Sequence, residues 1–448
     1  MHLEPAYLND WLAQHPVPAA SGRVWVGFSG GMDSTVLLHL ACILRDAGEL
    51  GELRAIHVDH GLHESSPRWA RHCRSTCRWL GVRLNVARVP VRAVRGESLE
   101  ALARRARYGA FREHLAAGDR LLVAQHRRDQ LETFLLQALR GSGPDGLAAM
   151  PEVSALGTGF LMRPLLAVDH AGISGYARRR GLEWIEDPAN ARLDYDRNYL
   201  RHEVLPRLER RWPSAARTVS RSAGLCAEAA GLLGVLADRD LEQRVDGHGR
   251  LEIPGLRELD GARVRNLLRR WIRRRGLPIP SQRKLERIRL DALASRRDRS
   301  PCIRWDGAEV RRYRCRLYGM TPLPPPPDPE PRAWDGRVPF ELPAGLGRLA
   351  LVRGEAPGLD PSVLEAPLAL GFRQGGERLR LTEARRSRAL KSLLQEVGLV
   401  PWMRSRVPLL FVDGTLAAVA TGWYAAGLAA RPGTPALRLC WEGAPALR

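Results

Sequence analysis

The chain has 448 residues, 44% of them hydrophobic and 27% charged, so it can bury several cores and is long enough for two to four domains. Its formal net charge of +21 favours a polyanionic partner, because clustered cations bind phosphates by releasing counterions. Seven cysteines over this length exclude a disulfide-stapled secreted scaffold and indicate a reducing, cytoplasmic location.

The positive charge is concentrated in the middle of the chain. Residues 201–320 hold 29 Arg or Lys against 15 Asp or Glu, which is two thirds of the net charge in about a quarter of the length. A GC-rich genome explains why only Lys284 and Lys391 are lysines, but it does not explain an excess of cations over carboxylates. The pattern therefore predicts nucleic-acid binding.

The sequence gives no indication of secretion or of a membrane span. Residues 1–16 lack the apolar segment of a signal peptide. The longest apolar run, residues 416–430, has 15 residues, whereas a helical span needs about 20. We expect a protein without membrane contact.

Strand and helix patterns alternate over the first 150 residues. Apolar periodicity predicts strands at 24–28, 53–58, 84–89 and 121–124, and helices at 34–45, 68–80, 98–115 and 129–139. This alternation predicts βαβ units that form a parallel sheet, and such sheets bind ligands at the carboxyl ends of their strands.

The remaining chain divides at a proline-rich segment. Residues 214–290 follow a helical, arginine-rich pattern, and residues 321–331 contain seven prolines, which predict a stiff spacer. Short strand-like runs then surround one predicted helix at 387–397. The predicted organisation is a parallel-sheet, Rossmann-like α/β domain at 1–212, a basic helical domain at 213–320 and a small α+β domain at 332–448.

The strongest motif is FSGGMDS at 28–34, which joins a strand to a helix. Backbone N–H groups are unpaired at such a helix start, and the helix dipole favours an anion there. The glycines permit close approach of the backbone to a phosphate, the serines can donate to it, and a carboxylate suits Mg²⁺. The candidate phosphate-binding residues are Ser29, Gly30, Gly31, Met32, Asp33 and Ser34.

This loop is not a Walker A motif, because the chain contains no G-x-x-x-x-G-K-[ST] string. SGGMDS between a strand and a helix resembles instead the PP-loop of the ATP pyrophosphatase family. In that family the loop grips the pyrophosphate of ATP and the products are AMP-linked.

A histidine-rich string, HVDHGL, ends the second predicted strand at 57–62. The PP-loop resemblance places Asp59 and His60 beside the nucleotide. The alternative is a zinc site in which Cys73 and Cys77 join His57, His60 and His63. Their spacing does not match a standard zinc pattern, so we favour buried cysteines on one face of a helix.

Two further strings supply charged candidates. In ARRARY, at 103–108, Arg104 and Arg107 share a predicted helix face with Glu100, and the alternative is a solvated salt-bridge face. In QHRRDQLETFLL, Asp129 and Glu132 lie three residues apart near the expected position of Asp33. Three carboxylates near a triphosphate suit metal binding or recognition of an ammonium group.

Together with five further strings, these motifs resemble the tRNA(Ile)-lysidine synthases over nearly the whole chain. One departure is Arg128, where that family usually has Asp. The further strings are RGSGPDGL at 140–147, MRPLL at 162–166, WIEDPAN at 184–190, YDRNYLR at 195–201, and a C-terminal run from RALKSLLQE at 388–396 to RVPLL at 406–410.

The resemblance implies that ATP adenylylates the C2 carbonyl oxygen of the wobble cytidine in an isoleucine tRNA with a CAU anticodon. The amine of free lysine then expels AMP. It implies ATP and Mg²⁺ as cofactors and leaves a homodimer open. It implies these roles: Asp33 as metal ligand, Arg104 and Arg107 facing ATP or RNA, Asp129 and Glu132 holding metal or the lysine ammonium, and the region of Lys391 holding tRNA.

Three other functions fit parts of the sequence. A PP-loop tRNA thiolase would generally need cysteine pairs, and no C-x-x-C string occurs here. A small-molecule ligase of the same superfamily would not need the basic middle region. A non-catalytic RNA-binding protein would tolerate loss of Asp33. The G-x-G-x-x-A string at 345–350 is not followed by a helical pattern, so it predicts a hairpin turn rather than a dinucleotide site.

Overall fold

The computed structural model describes residues 3–18, 22–61, 65–92, 98–186, 188, 192–294, 301–381, 384 and 386–444. The chain forms two compact units, residues 1–233 and 234–448. This division falls inside a long helix, α10 in the numbering below, rather than at residue 212. The three predicted domain boundaries therefore stay predictions.

The first unit contains a six-stranded sheet with helices around it. Its helices are α1 (Pro5–Gln14), α2 (Met32–Asp46), α3 (Ser66–Trp79), α4 (Leu99–His114), α5 (Arg127–Leu139), α6 (Pro144–Leu147), α7 (His170–Arg179), α8 (Asp196–Tyr199) and α9 (Leu205–Arg211), with a π-helical turn at Leu200–Val204; α10 (Ala215–Glu242) leads into the second unit. Its strands are β1 (Val24–Gly27), β2 (Leu53–Asp59), β3 (Arg83–Arg88), β4 (Arg120–Leu122), β5 (Val153–Leu156) and β6 (Gly159–Met162).

The strand order β3-β2-β1-β4-β6-β5 places β1 between β2 and β4. The first five strands in this order pair in parallel and β5 is antiparallel to β6, so the predicted parallel sheet is confirmed. The chain leaves β1 toward β2 first and returns to β4 later. The carboxyl end of β1 is therefore the switch point at which such sheets bind ligands.

Strand β1 is buried on both faces, which fixes the position of the loop that follows it. Val24 and Val26 pack in one apolar cluster with α2, whose Leu37 and Leu40 recur at helical spacing. Trp25 points to the opposite face and packs in a second cluster with α4. Its indole Nε1 donates to Asp119 Oδ2 over 2.9 Å, so the one polar atom of this buried ring is satisfied.

The second unit combines helices with several antiparallel sheets. Its helices are α11 (Gly261–Arg274), α12 (Gln282–Ala294) and α13 (Leu390–Glu396), with 3₁₀ turns at Pro254–Glu258, Pro343–Gly345, Pro361–Glu365 and Pro401–Met403. Its strands are β7 (Leu251–Glu252), β8 (Cys302–Trp305), β9 (Ala308–Tyr313), β10 (Arg316–Met320), β11 (Arg332–Trp334), β12 (Phe340–Glu341), β13 (Arg348–Glu355), β14 (Leu368–Gly371), β15 (Arg378–Leu379), β16 (Arg388–Ala389), β17 (Leu409–Val412), β18 (Thr415–Val419), β19 (Trp423–Tyr424) and β20 (Pro435–Glu442).

The middle region is helical, as predicted, but it also contains a sheet in the order β7-β10-β9-β8. The buried face of α11 packs in one cluster with residues of this sheet, while its arginines take the other face. The predicted α+β character of the C-terminal region is confirmed. There β12 and β13 pair with Phe340 opposite Leu349, which confirms the predicted hairpin at 345–350.

Among the described residues, α10 is the one helix whose length and composition would allow it to cross a bilayer. Little of its apolar stretch is buried, and a single helix of this kind is weak support for a membrane span. The apolar run at 416–430 contains β18 and β19 instead of a helix.

Candidate functional site

The loop between β1 and α2 lies at the switch point of the sheet. Gly30 adopts a φ of +84°, a conformation that side chains rarely tolerate. A Cβ on Gly30 would lie 3.0 Å from Cys73 Sγ and 3.3 Å from Ile185 Cδ1. The amide of Ile185 donates to the Gly30 carbonyl over 2.9 Å, so the WIEDPAN segment supports the loop from the side. Only a glycine at position 30 fits this arrangement.

The serine hydroxyls of the loop accept hydrogen bonds from some of the backbone amides that were expected to be unpaired. Ser34 Oγ accepts from the Ser29 amide over 3.2 Å and donates to the Gly31 carbonyl over 3.0 Å. Ser29 Oγ accepts from the Gly31 amide over 3.3 Å. The expectation of free amides is therefore only partly met. Because these partners are rotatable hydroxyls, an anion can replace them without moving the backbone.

The cysteines beside the loop are structural. Cys73 and Cys77 are both buried, and burial raises the pKa of each thiol to about 12. In the described part of the chain, neither thiol belongs to a group of three or more His, Cys, Asp or Glu side chains close enough to hold one metal ion. The prediction of buried cysteines is therefore confirmed for both residues. His63, the remaining member of the zinc alternative, lies outside the described residues.

Asp33, the second residue of α2, faces two histidines. Its Oδ2 lies 3.7 Å from His126 Nε2, and its Oδ1 is buried without a hydrogen-bond partner. One ligand atom each of Asp33, His126 and His170 lie within 4.8 Å of one another, the sole such group in the described part of the chain. Burial raises the pKa of Asp33, and the charge of His126 opposes this shift.

His126 caps the N-terminus of α5 and is thereby held in one orientation. Its Nδ1 accepts from the Arg128 amide over 3.2 Å, so in the neutral ring the proton is on Nε2. Asp129 completes a capping box, because its Oδ2 accepts from the His126 amide over 2.9 Å. His126 Nε2 therefore presents a hydrogen-bond donor to Asp33 and Asp129.

The third predicted carboxylate, Glu132, is fully buried and paired with arginines. Arg201 donates to Glu132 through Nε at 2.7 Å and Nη2 at 2.9 Å, and its Nη2 also reaches Asp129 Oδ1 at 3.2 Å. Arg197 Nε lies 3.5 Å from Glu132. The structure thus brings Asp33, Asp129 and the ion pair of Glu132 with Arg201 to one end of the sheet.

Arg128, noted above as a departure from the family resemblance, forms an ion pair in this chain. Arg128 Nη2 lies 3.2 Å from Glu209 Oε2 on α9. The side chain of Arg128 is therefore drawn toward α9, while its amide still caps the ring of His126.

The remaining predicted residues lie on β2 and α4. Asp59 Oδ1 accepts from the Gly61 amide over 3.0 Å, and both ring nitrogens of His60 are buried without a partner. Desolvation and the charge of Arg107 lower the pKa of His60 to about 4. Arg104 stacks over the Tyr108 ring at 5.0 Å. In the part of the chain that is described, no carboxylate lies within salt-bridge distance of Arg104 or Arg107.

Comparison with known proteins gives a consistent result. The PP-loop domain model matches residues 7–208, the TilS substrate binding domain 251–318 and the TilS substrate C-terminal domain 368–441. A tRNA(Ile)-lysidine synthase of Alkalilimnicola ehrlichii is 45% identical over 432 residues, covering 96% of this chain and 96% of that protein. Those of Methylococcus capsulatus and Escherichia coli O157:H7 are 44% and 41% identical, covering 91% and 90% of this chain and 93% of each relative.

The chain belongs to the tRNA(Ile)-lysidine synthase family. It is accordingly a ligase of the type that forms a C–N bond. The thiolase alternative is not favoured, because the matched relatives carry the lysidine synthase name and the substrate-binding models of that family match here.

Sequence reasoning missed several residues at the lysidine synthase site. His126 was part of a quoted string but was not selected, because its role as a helix cap appears only with the fold. Arg197 and Arg201 lie in YDRNYLR, which was noted only as a family resemblance. His170 has no sequence signal, since its position depends on how α7 packs against α2.

Replacing His60 with Gln is expected to reduce the acid sensitivity of folding. The pKa of His60 is lowered from 6.5 to about 4, so between these values the unfolded chain binds a proton that the folded chain does not. Stability is therefore lost progressively as the pH falls from 6.5 to 4. Urea denaturation of both proteins at pH 7 and pH 5 should show a smaller difference for the His60→Gln variant. An equal difference would contradict the burial of this ring.

Proposed function

We propose that this chain uses ATP to adenylylate the C2 carbonyl oxygen of the wobble cytidine in an isoleucine tRNA with a CAU anticodon. The amine of free L-lysine then attacks C2 and AMP leaves, which gives lysidine. The observation that carries this proposal is the glycine loop at the switch point, with Asp33 in the first turn of the following helix.

The loop supports ATP binding through its pyrophosphate. The N-terminus of α2 offers backbone donors, and Ser29 and Ser34 can turn their hydroxyls from the loop toward phosphate oxygens. Gly30, Gly31 and Met32 supply the backbone. Asp59 at the end of β2 and His60 directly after it border the nucleotide.

Asp33 is the proposed ligand for Mg²⁺. The donor chemistry fits, since the buried Oδ1 lacks a partner and a hard cation prefers a carboxylate oxygen. When bound, Mg²⁺ neutralises charge on the departing pyrophosphate. His126 contributes a fixed Nε2–H donor 3.7 Å from Asp33 Oδ2.

Arginines and carboxylates complete the site. Arg104 and Arg107 are proposed to face ATP phosphate or the RNA backbone, because no carboxylate described here neutralises them. Asp129 is proposed to hold the lysine ammonium or the metal. That Glu132 holds the lysine ammonium or the metal stays a prediction. Glu132 is completely buried against Arg201, which favours an indirect role in which Glu132 positions Arg201.

The tRNA body is proposed to bind the basic middle domain at 213–320 and the C-terminal domain at 332–448, including Lys391. We propose a cytoplasmic location, and the oligomeric state is left to direct measurement, with a homodimer as one option. The catalytic domain is proposed to comprise 1–212.

The test is to incubate the protein with ATP, Mg²⁺, labelled lysine and tRNA transcripts. Label should enter an isoleucine tRNA with a CAU anticodon but not a methionine tRNA with the same anticodon. Folded protein that binds tRNA and incorporates no lysine would refute the proposal. A matched reaction without ATP controls for non-enzymatic attachment.

A further inference from the structure

An exposed aromatic groove runs along the segment between α8 and the end of α9. It has a volume of about 370 Å³, within the range of small-ligand sites, which starts near 300 Å³. Tyr199 and Trp212 border it and are 52% and 58% exposed. Its other lining residues are Glu203, Val204, Arg207 and Leu208.

A π-helical turn brings the two rings onto one face. Leu200–Val204 is π-helical and α9 follows it. Tyr199 precedes Val204 by five residues, which is about one turn of a π-helix. Leu208 and Trp212 follow Val204 at steps of four residues, about one α-helical turn each, so all four residues lie on one face. Tyr199 and Trp212 thus end a row whose middle is apolar, and the groove lies along that row.

The groove is flanked by exposed cations. The Arg211 guanidinium lies 5.8 Å from the centroid of the Trp212 ring. Arg207 is 78% exposed and makes a long contact of 3.7 Å with Glu203. Arg210 is exposed as well. This combination of exposed rings and arginines is typical of surfaces that stack unpaired bases and bind the adjoining phosphates.

The other side of the same segment carries the active-site arginine. Arg201, the second residue of the π-helical turn, donates to Glu132, and Leu205 is fully buried. Arg201 and Trp212 are separated by about 16 Å at the rise of a helix. An RNA strand that lies in the groove is therefore close to the carboxylate end of the sheet.

We infer that this groove binds unpaired nucleotides of the RNA substrate, with a base stacked on Trp212 and another on Tyr199. The inference rests on the proposed function, because it names where single-stranded nucleotides next to the reacting base are held. The exposed aromatic rings beside these arginines favour RNA, because unpaired bases can stack on the rings while the arginines bind phosphates.

The test compares Trp212→Ala and Tyr199→Ala with Trp79→Ala in the full-length enzyme. Trp79 is 73% exposed on α3 and is not part of the groove, so it is a matched control. The probes are a tRNA transcript with a CAU anticodon and a fully paired RNA duplex. Trp212→Ala should weaken tRNA binding about 5-fold to 150-fold, the range for loss of one stacked base, and leave duplex binding unchanged.

Salt dependence separates stacking from phosphate contacts. Trp212→Ala should leave the slope of log affinity against log salt unchanged, whereas Arg207→Ala should reduce it by about 0.7. Trp212→Phe, which keeps a ring, should restore most of the affinity. Thermal unfolding of each variant shows whether the fold is retained.

Equal tRNA affinity of Trp212→Ala, Tyr199→Ala and the unsubstituted protein would overturn the inference. A change in sedimentation without a change in RNA affinity would overturn it too, since the groove would then join two copies of the chain. If the unsubstituted protein incorporates no lysine but Trp212→Ala still loses tRNA affinity, the proposed reaction fails and the groove assignment stands.

Discussion

Replacing Asp33 with Asn is expected to lower pyrophosphate release by at least about 100-fold, as loss of one group that stabilises developing charge commonly does. The amide has nearly the same shape but carries no charge, so it cannot hold a cation against the phosphates. Among the described residues, the Oδ1 of Asp33 has no hydrogen-bond partner, and its Oδ2 makes only a 3.7 Å contact with His126. Little of the fold therefore depends on this carboxylate.

The measurement is pyrophosphate release in the presence of tRNA, with tRNA affinity determined for the same preparation. Affinity should remain close to that of the unsubstituted protein. Asp46→Asn is the matched control, because Asp46 ends the same helix, is 66% exposed and pairs only with its neighbour Arg45 in the described contacts. A parallel loss of tRNA affinity in Asp33→Asn would mean that Asp33 is structural.

Strands β1 to β4 of the first unit could be predicted because their signals are local and alternate with helices that have an apolar face. Strands β5 and β6 were not among the predicted strands. The sheet of the middle region was missed for the opposite reason. Arginines interrupt the short apolar runs of β8, β9 and β10, at Arg304, Arg311, Arg312 and Arg316, within a composition that suggested solvated helices.

Site residues that belong to one sequence motif could be predicted. Site residues that come together only through tertiary packing could not. The loop and Asp33 occupy adjacent positions, so spacing alone places them at a helix start. Arg201 reaches Glu132 from a distant part of the chain, and His170 reaches Asp33 only because α7 packs on α2. The pairing of Arg128 with Glu209 also required the fold.

Replacing Arg201 with Ala is expected to destabilise the first unit by about 3–5 kcal/mol, the usual cost of removing one partner of a buried ion pair. Glu132 is fully buried and would retain only Arg197, at 3.5 Å. Arg207→Ala is the matched control, because its ion pair is exposed and should contribute less than about 1 kcal/mol. Urea denaturation at pH 7 of both variants measures the difference.

The pH dependence of this loss has a defined sign. Burial raises the folded-state pKa of Glu132 above its ordinary 4.5, so the ionised carboxylate costs stability above that raised pKa. Below 4.5 the carboxyl is protonated in both states and the cost disappears. The destabilisation by Arg201→Ala should therefore shrink as the pH falls toward 4.5. A loss that is constant with pH would contradict the pairing of Arg201 with an ionised Glu132.

Combining Arg201→Ala with Glu132→Gln distinguishes two roles of Arg201, which are to neutralise the buried Glu132 and to contribute to the reaction. The amide removes the buried charge, so the double variant should recover much of the stability lost in the single variant. Lysine incorporation should nevertheless stay low, because Arg201 also reaches Asp129 at 3.2 Å and fixes it beside Asp33. If the double variant recovers both stability and incorporation, Arg201 only neutralises Glu132 and the positioning of Asp129 does not depend on it.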